Sequence, residues 1–406
     1  QKKISWYDFL LAHSRQTFIL FDMTYRIRSV MFLSTFVALL AGITSCNKGG
    51  GGATGDTIVV GEFASLTGSE ATFGTSSHEG TLLAFEDLNA AGGLFGKKFE
   101  LITEDNLSKA GDSATIANKL ISKDNAVALL GEVASGRSNE AAPICQQNKI
   151  PMISPASTNP NVTQKGDYIF RVCFTDVFQG KVLSNFAHNS LKAKKVAIFT
   201  DAKSDYSKGL TKYFKENFSK VGEINLELNY NGKDKDFRGQ LTSLKASNPD
   251  AIFVPGYYAD VAVICIQAKE LGITTPIFGG DGWESEDLLK LGLDSMEGKY
   301  FSTHYSPEVS SAKSVAFVEA YKKRFNGKVP DAMAALGYDS ALVLADAMKR
   351  AGTTDGEKVK IALAATKDFQ GVTGNITMNA DRDVEKAMVI LQIKDGKFKY
   401  LETVNP

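Results

Sequence analysis

From Thr57 onward, short runs of β-branched and aromatic residues alternate with longer amphipathic stretches, the spacing of apolar positions shifting between strand and helix periods. Residues 58–61 read as a strand and 76–91 as a helix closed by Gly92 and Gly93. Residues 99–103 read as the next strand, and 113–122 as a helix with Ala114, Ala117, Leu120 and Ile121 on one face. A strand at 126–130, a helix at 138–147 and a strand at 151–153 continue the alternation. Such β-α-β-α order builds a parallel sheet covered by helices on both faces. The pattern restarts with strands at 196–200, 224–228, 251–254 and 276–278, interleaved with helices at 207–220, 237–247 and 259–271. Helices at 312–325, 332–351 and 357–364 follow, then β-rich sequence at 388–393 and 398–401. The fold class is therefore α/β, with two Rossmann-like units and no run left over for a third.

Ahead of Thr57 the pattern changes character. Arg26 and Arg28 precede an apolar run over 30–43 that ends in Ile43-Thr44-Ser45-Cys46. A basic head and a short apolar segment are the marks of a secretory signal, and a retained membrane anchor is the alternative. The Ile-Thr-Ser-Cys ending resembles a bacterial lipobox, which makes Cys46 the lipidated residue. Residues 23–45 are thus expected to be a signal peptide, 46–56 a glycine-rich tether, and 1–22, which precede Met23, sequence upstream of the native start.

Composition narrows the function. The 406 residues carry 46 Lys and Arg against 46 Asp and Glu, a balance that offers nothing to nucleic acid. Besides Cys46, Cys145, Cys173 and Cys265 lie in or beside apolar stretches. Buried free thiols and a Cys145–Cys173 bridge are both compatible with the sequence. His13, His78, His188 and His304 are scattered, with no H-E-x-x-H and no C-x-x-C, so neither a metal nor another cofactor is expected. Gly50, Gly52 and Gly55 spell G-x-G-x-x-G but stand before the first strand, in the tether. No nucleophile and base pair is visible, and the chain is not expected to be an enzyme.

Ligands of open parallel sheets sit beyond the carboxyl ends of the strands. In the first unit those ends carry hydroxyls, at Leu66-Thr67-Gly68, Glu132-Val133-Ala134-Ser135 and Ser154-Pro155-Ala156-Ser157-Thr158. In the second they carry aromatics and a carboxylate, at 201–206, Gly256-Tyr257-Tyr258 and Gly279-Gly280-Asp281-Gly282-Trp283. Two such rims face to face would enclose a small molecule bearing both a cation and an anion. Each residue also has a plainer reading: Ser135 as a helix cap, Thr158 and Asp281 as turn residues, the tyrosines as packing.

The segments VGEFASLTG (60–68), AAGGLFG (90–96), ISPASTNPNVTQ (153–164), IFRVCF (169–174), KDKDF (233–237), PGYY (255–258) and GYD (337–339) occur in one order along nearly all of the chain after Thr57. In them the chain resembles the periplasmic branched-chain amino acid binding proteins of ABC transporters. The resemblance implies the type I periplasmic-binding fold, two lobes joined by about three crossovers and closing around a ligand. It places lobe one at 57–174 and 304–376, lobe two at 175–303 and 377–406, and crossovers near 172–176, 302–306 and 375–379. It also implies Ser135 and the Thr158 hydroxyl and N–H for a ligand carboxylate. The Ala156 carbonyl, beside Ser157 in the same loop, and Asp281 fall to the ammonium; Tyr206 and Tyr257 are implied as the site's second-lobe tyrosines, and Phe73 falls beside the ligand side chain. Phe73 stands where the family commonly has tryptophan; Arg137 lies near Ser135 and Trp283 beside Asp281. The implied partners are a small amino acid, an ABC permease and, through Cys46, the extracytoplasmic face of a membrane. A binder of amides or urea, or a ligand-sensing receptor module, is the alternative.

Overall fold

The structure, a computed structural model, describes residues 57–308 and 311–406. Cys46, the signal-like run before it and the glycine-rich tether lie outside the described residues.

Strands β1 (Thr57–Ala64), β2 (Lys98–Asp105), β3 (Leu129–Leu130), β4 (Met152–Ser154) and β5 (Ile169–Arg171) form the first sheet, in the order β2-β1-β3-β4-β5 with every pair parallel. Its apolar residues divide between both faces. Val60, Leu130 and Phe170 belong to one core cluster, while Phe63, Leu129 and Ile169 belong to another. Helices α1 (Ala71–Ala90), α2 (Asp112–Ser122) and α3 (Ser135–Asn148) make the connections.

Helix α4 (Asp176–Asn185) leads into the second lobe and packs along α5 (Asp205–Phe218). Strands β6 (Lys195–Asp201), β7 (Glu223–Tyr230), β8 (Ala251–Phe253), β9 (Ile277–Gly279) and β10 (Tyr300–Thr303) alternate there with α5, α6 (Arg238–Ala246), α7 (Tyr258–Glu270) and α8 (Glu286–Gly292). The chain then returns to the first lobe as α9 (Ala312–Arg324), α10 (Ala332–Ala351), α11 (Gly356–Ala364) and the hairpin β11 (Phe369–Gly371) and β12 (Gly374–Ile376). Finally β13 (Met388–Lys394) and β14 (Lys397–Val404) add antiparallel to β10, completing a seven-stranded sheet in the order β14-β13-β10-β9-β8-β6-β7. The chain thus passes between lobes three times, after β5, after β10 and after β12.

The returning helix α10 lies against α1 at a glycine crossing. A Cβ on Gly80 would stand 1.9 Å from the Ala334 carbonyl oxygen, and one on Gly337 would stand 2.2 Å from that of Ser77. Only hydrogen at both positions allows the backbones to approach so closely. This crossing fixes the direction of α1, whose first turn carries Phe73.

In both sheets the strand order reverses next to the first strand of the lobe, between β1 and β3 and between β6 and β8. Such reversals leave a crevice at the strand ends, because the following connections leave toward opposite faces. The two crevices face each other. Cys145, Cys173 and Cys265 are buried free thiols, so the Cys145–Cys173 bridge does not form.

Candidate functional site

Three loops of the first lobe supply one wall of the cleft. After β3, Glu132 is buried and accepts from the backbone N–H groups of Ser65 (2.8 Å) and Ala134 (2.6 Å), which fixes the approach to α3. Ser135 is the first residue of that helix, three residues earlier than the sequence pattern places the start. Its N–H and that of Gly136 have no intrahelical acceptor and point out of the helix end, where the peptide dipoles sum to partial positive charge. The Ser135 hydroxyl accepts from the Asn159 N–H at 3.3 Å. The loop after β4 carries Ala156, Ser157 and Thr158, all buried. Arg171 of β5, wholly buried, donates to the carbonyls of Ser157 and Asn159 (2.9 Å to the latter) and pairs with Asp383 at 2.6 Å. That guanidinium holds the loop from behind and ties it to the third crossover.

The second lobe supplies the opposite wall. Asp281 follows β9 and is buried. Its Oδ1 accepts from Gln179 Nε2 at 2.7 Å, and its Oδ2 lies 3.0 Å from His304 Nε2. His304 stacks on Phe174 at 3.8 Å between ring centroids. Burial lowers its pKa, against the opposing pull of Asp281. Tyr206, in the first turn of α5, accepts from the Gly282 N–H at 3.1 Å and stacks on Tyr257 with rings 5.1 Å apart and nearly parallel. Burial pushes both phenols well above their ordinary pKa, so both remain neutral donors.

The two walls touch. Phe73 meets Tyr257 and Tyr258 edge to face at 5.5 and 5.0 Å. Thr72 Oγ1 and Ser285 Oγ are 2.9 Å apart. At the other end, Asn159 and Asn139 donate to the Asp205 carbonyl oxygen and carboxylate at 2.7 and 3.0 Å. Glu284 reaches from beside Trp283 to the head of α10, accepting from the Ala332 N–H at 2.9 Å and from the Thr303 hydroxyl. Burial, with Asp331 nearby, pushes Glu284 up to about 8. The cleft is closed.

Seven of the eight residues singled out from the sequence, Phe73, Ser135, Ala156, Ser157, Thr158, Tyr206 and Asp281, are at most 4% exposed. The eighth, Tyr257, lines a cavity of about 780 Å³ at the cleft mouth, together with Glu70, Arg137, Lys203, Asp205 and Asp260. The mouth is polar and the interior behind it sealed. Ser157 differs from its neighbours: its hydroxyl is engaged by the Glu132 and Val133 carbonyls and Ser138 Oγ, inside the loop. Trp283 is fully buried, with its indole N–H on the Val254 carbonyl at 2.9 Å, and is packing. Arg137 pairs with Glu70 and Glu140 and donates to the Ser108 carbonyl, standing at the mouth.

Residues outside the sequence reading join the cluster. Asp176 and Gln179 stand one turn apart at the start of α4, a helix the hydrophobic pattern does not announce. His304 falls in the second crossover, and its partner Asp281 is far from it in sequence. Glu132, two residues beyond β3, falls in the strand-end segment 132–135 named from the sequence, but without a role of its own there.

The fold agrees with comparisons to known proteins. Residues 57–397 match the model of a family described as periplasmic binding protein. The chain belongs to that family. Among its relatives in this periplasmic binding protein family, an amino acid binding protein of Pseudomonas aeruginosa is 30% identical over 84% of this chain and 91% of its own. A leucine binding protein from Thermotoga maritima superposes with a TM-score of 0.83 at 38% identity, covering 86% of this chain and 99% of that one. A branched-chain amino acid transporter substrate binding protein from Streptococcus pneumoniae, solved with isoleucine, gives 0.82 at 38% identity over 86% of this chain and all of that one. Family membership makes this a solute-binding protein.

Proposed function

We propose that this protein captures a zwitterionic aliphatic amino acid between its lobes, 57–174 with 304–376 and 175–303 with 377–406, and presents the closed form to the permease of an ABC importer. One observation carries the reading: a buried cleft with the free N–H groups of the α3 terminus and Ser135 on one side and the Asp281 carboxylate on the other. A carboxylate suits a helix N-terminus, and a buried ammonium needs an anionic or carbonyl partner. Ser135 and the Thr158 N–H hold the ligand carboxylate. The Ala156 carbonyl and Asp281 hold its ammonium, while Phe73, Tyr257 and Tyr206 wall the side chain. Relatives named for leucine and solved with isoleucine support the aliphatic class.

Closure follows from the division of contacts, since only the closed state offers partners to both ends of the zwitterion. Cys46 is proposed to carry lipid and to hold the protein at the extracytoplasmic face of a membrane through the 46–56 tether. Intact mass of the natively processed protein tests the anchor, and an unmodified mature Cys46 removes it. A thermal-shift panel of aliphatic amino acids, amides, urea and sugars tests the ligand class. Stabilisation by leucine, isoleucine or valine above the rest supports the reading, and stabilisation by amides alone replaces it with the amide-binder alternative.

A further inference from the structure

Glu284 stands in the seam between the lobes, and the binding scheme above makes no use of it. It follows Trp283 in the second lobe and is 4% exposed. Its Oε1 accepts from the Ala332 N–H of the first lobe at 2.9 Å, and its Oε2 meets the Thr303 hydroxyl of its own lobe. Asp331 caps the same helix end, accepting from the Ala334 N–H at 2.9 Å and from the Ser76 hydroxyl. Two carboxyl groups, one from each lobe, therefore meet at the head of α10. A helix end carries roughly half a positive charge, too little to hold two carboxylates. Asp281, earlier in the same loop, and the Tyr305 phenol also lie within electrostatic reach of Glu284. Among the described residues no cation bonds to Glu284. Lys328, which acts on Asp331, is engaged by Glu79 at 2.6 Å, and Lys290 is engaged by Asp287 at 3.0 Å and by Glu286. A groove of about 290 Å³ lined by Ser76, Asp331, Lys328, Glu286, Asp287 and Lys290 runs beside the seam and brings water to it.

We propose that closure of the lobes takes up a proton at Glu284, so that acid tightens ligand capture and alkali loosens it. In the open form the Ala332 N–H and Asp331 leave with the first lobe, and Glu284 regains water on that side. On closing, a Glu284 carboxylate would have to give up that water beside Asp331. A proton taken from a solvent acid through the groove neutralises the group, and no other covalent bond changes. The protonated carboxyl keeps both contacts, since one oxygen still accepts from Ala332 and the other donates its proton to the Thr303 oxygen. Burial, ahead of Asp331, is what makes the closed form bind this proton more tightly than the open one. Capture is therefore strongest near the ordinary carboxyl range and weakens as pH rises toward about 8.

Leucine is titrated calorimetrically into the full-length protein and its variants at about pH 5.5, 6.5 and 7.5, in pairs of buffers of different ionisation enthalpy, which counts the protons taken up. Leucine stays zwitterionic over this range. Glu70 and Asp260 at the cleft mouth, raised by burial to about 7 and about 6, titrate there too, so the difference between proteins is what is read. Glu284→Gln keeps an acceptor for Ala332 but has no proton to gain. At pH 6.5 the wild type should take up about one proton more per leucine than Glu284→Gln, and from pH 5.5 to 7.5 its affinity should fall about 10- to 100-fold further. Asp331→Asn retains the helix cap and removes the carboxyl that repels Glu284, so its proton uptake at pH 7.5 should be below that of the wild type. Proton uptake equal to the wild type's in either variant, or a Glu284→Gln loss of the same size at every pH, overturns the inference while the amino acid reading stands, because leucine still binds. The coupling rests on that reading for its ligand, so a folded wild type that binds no amino acid overturns both.

Discussion

The two walls of the cleft solve different problems with different materials. The first-lobe wall is made of backbone N–H groups at the head of α3, hydroxyls and a carbonyl, with Arg171 supporting the loop from behind. The second-lobe wall carries the buried side chain of Asp281 and an aromatic stack of Tyr206 on Tyr257. An anion can be held by dipoles that cost little to leave in water when the cleft opens. A cation needs a carboxylate, and a buried carboxylate must be supported, here by Gln179 and His304. On the function proposed above, the difference teaches that neither lobe offers a complete site and that binding energy is realised only on closure.

The comparison breaks most visibly at Asp281. Removing one member of a buried, hydrogen-bonded charge pair costs about 2 to 5 kcal/mol, so Asp281→Ala should weaken amino acid binding by roughly 30-fold to several thousand-fold. Calorimetry measures it, with circular dichroism to check folding. Binding as tight as wild type would remove Asp281 from the ammonium and favour an amide ligand. On the opposite wall, Ser135→Ala removes one hydroxyl but leaves the N–H groups of the helix end. A loss of about 1 to 3 kcal/mol is expected, and a loss equal to that of Asp281→Ala would contradict the contrast between the walls.

Two further variants sharpen it. Glu284, raised to about 8 from an ordinary 4.5, binds its proton more tightly folded than unfolded. Its contribution to stability is therefore full below about pH 4.5 and is lost as pH rises toward 8, at no more than about 1.4 kcal/mol per pH unit. Thermal melts from pH 5 to 8 should fall in the wild type and flatten in Glu284→Gln; an unchanged slope would show that Glu284 does not report on the contact with α10. The smallest effect belongs to Asn159→Ala, which removes the 2.7 Å bond to the Asp205 carbonyl. A shift of about 0.5 to 1.5 kcal/mol toward the open form is expected. Small-angle scattering should show ligand compacting both proteins, with the variant needing more ligand. A radius of gyration that ignores saturating ligand would mean that the lobes are already closed without it.

The alternation of strands and helices over 57–153 and 195–279 was legible because buried parallel strands read as continuous β-branched and aromatic runs. Other elements carry no such signal. Strand β10 is only Tyr300–Thr303, β11 and β12 have three residues each, and α8 has only seven, about two turns. Helix α4 was missed because its apolar positions follow no clean period, and Asp176 and Gln179 were hidden with it. The start of α3 was misplaced because Ser138 looks like a cap, whereas its hydroxyl donates inward to the Glu132 carbonyl at 3.1 Å. Helix α1 begins at Ala71 rather than near Ser76, since Gly74, Ser76 and Ser77 are buried small residues at close contacts that resemble a polar loop in sequence. The candidate residues came from a family resemblance carried by short motifs. What the motifs could not convey is support at a distance, such as His304 beneath Asp281 or Arg171 behind the ligand loop.

The three buried thiols make this protein a convenient chassis for an optical sensor. Burial pushes Cys173 and Cys265 up to about 12 and Cys145 higher still, so thiolate, the form that reacts with maleimide dyes, is scarce at neutral pH. A cysteine placed at the exposed cleft-mouth position of Lys203 would therefore take a dye that the three native thiols of the described residues do not compete for. Fluorescence from that single label would follow the mouth as it narrows, without any change to the residues that grip the ligand.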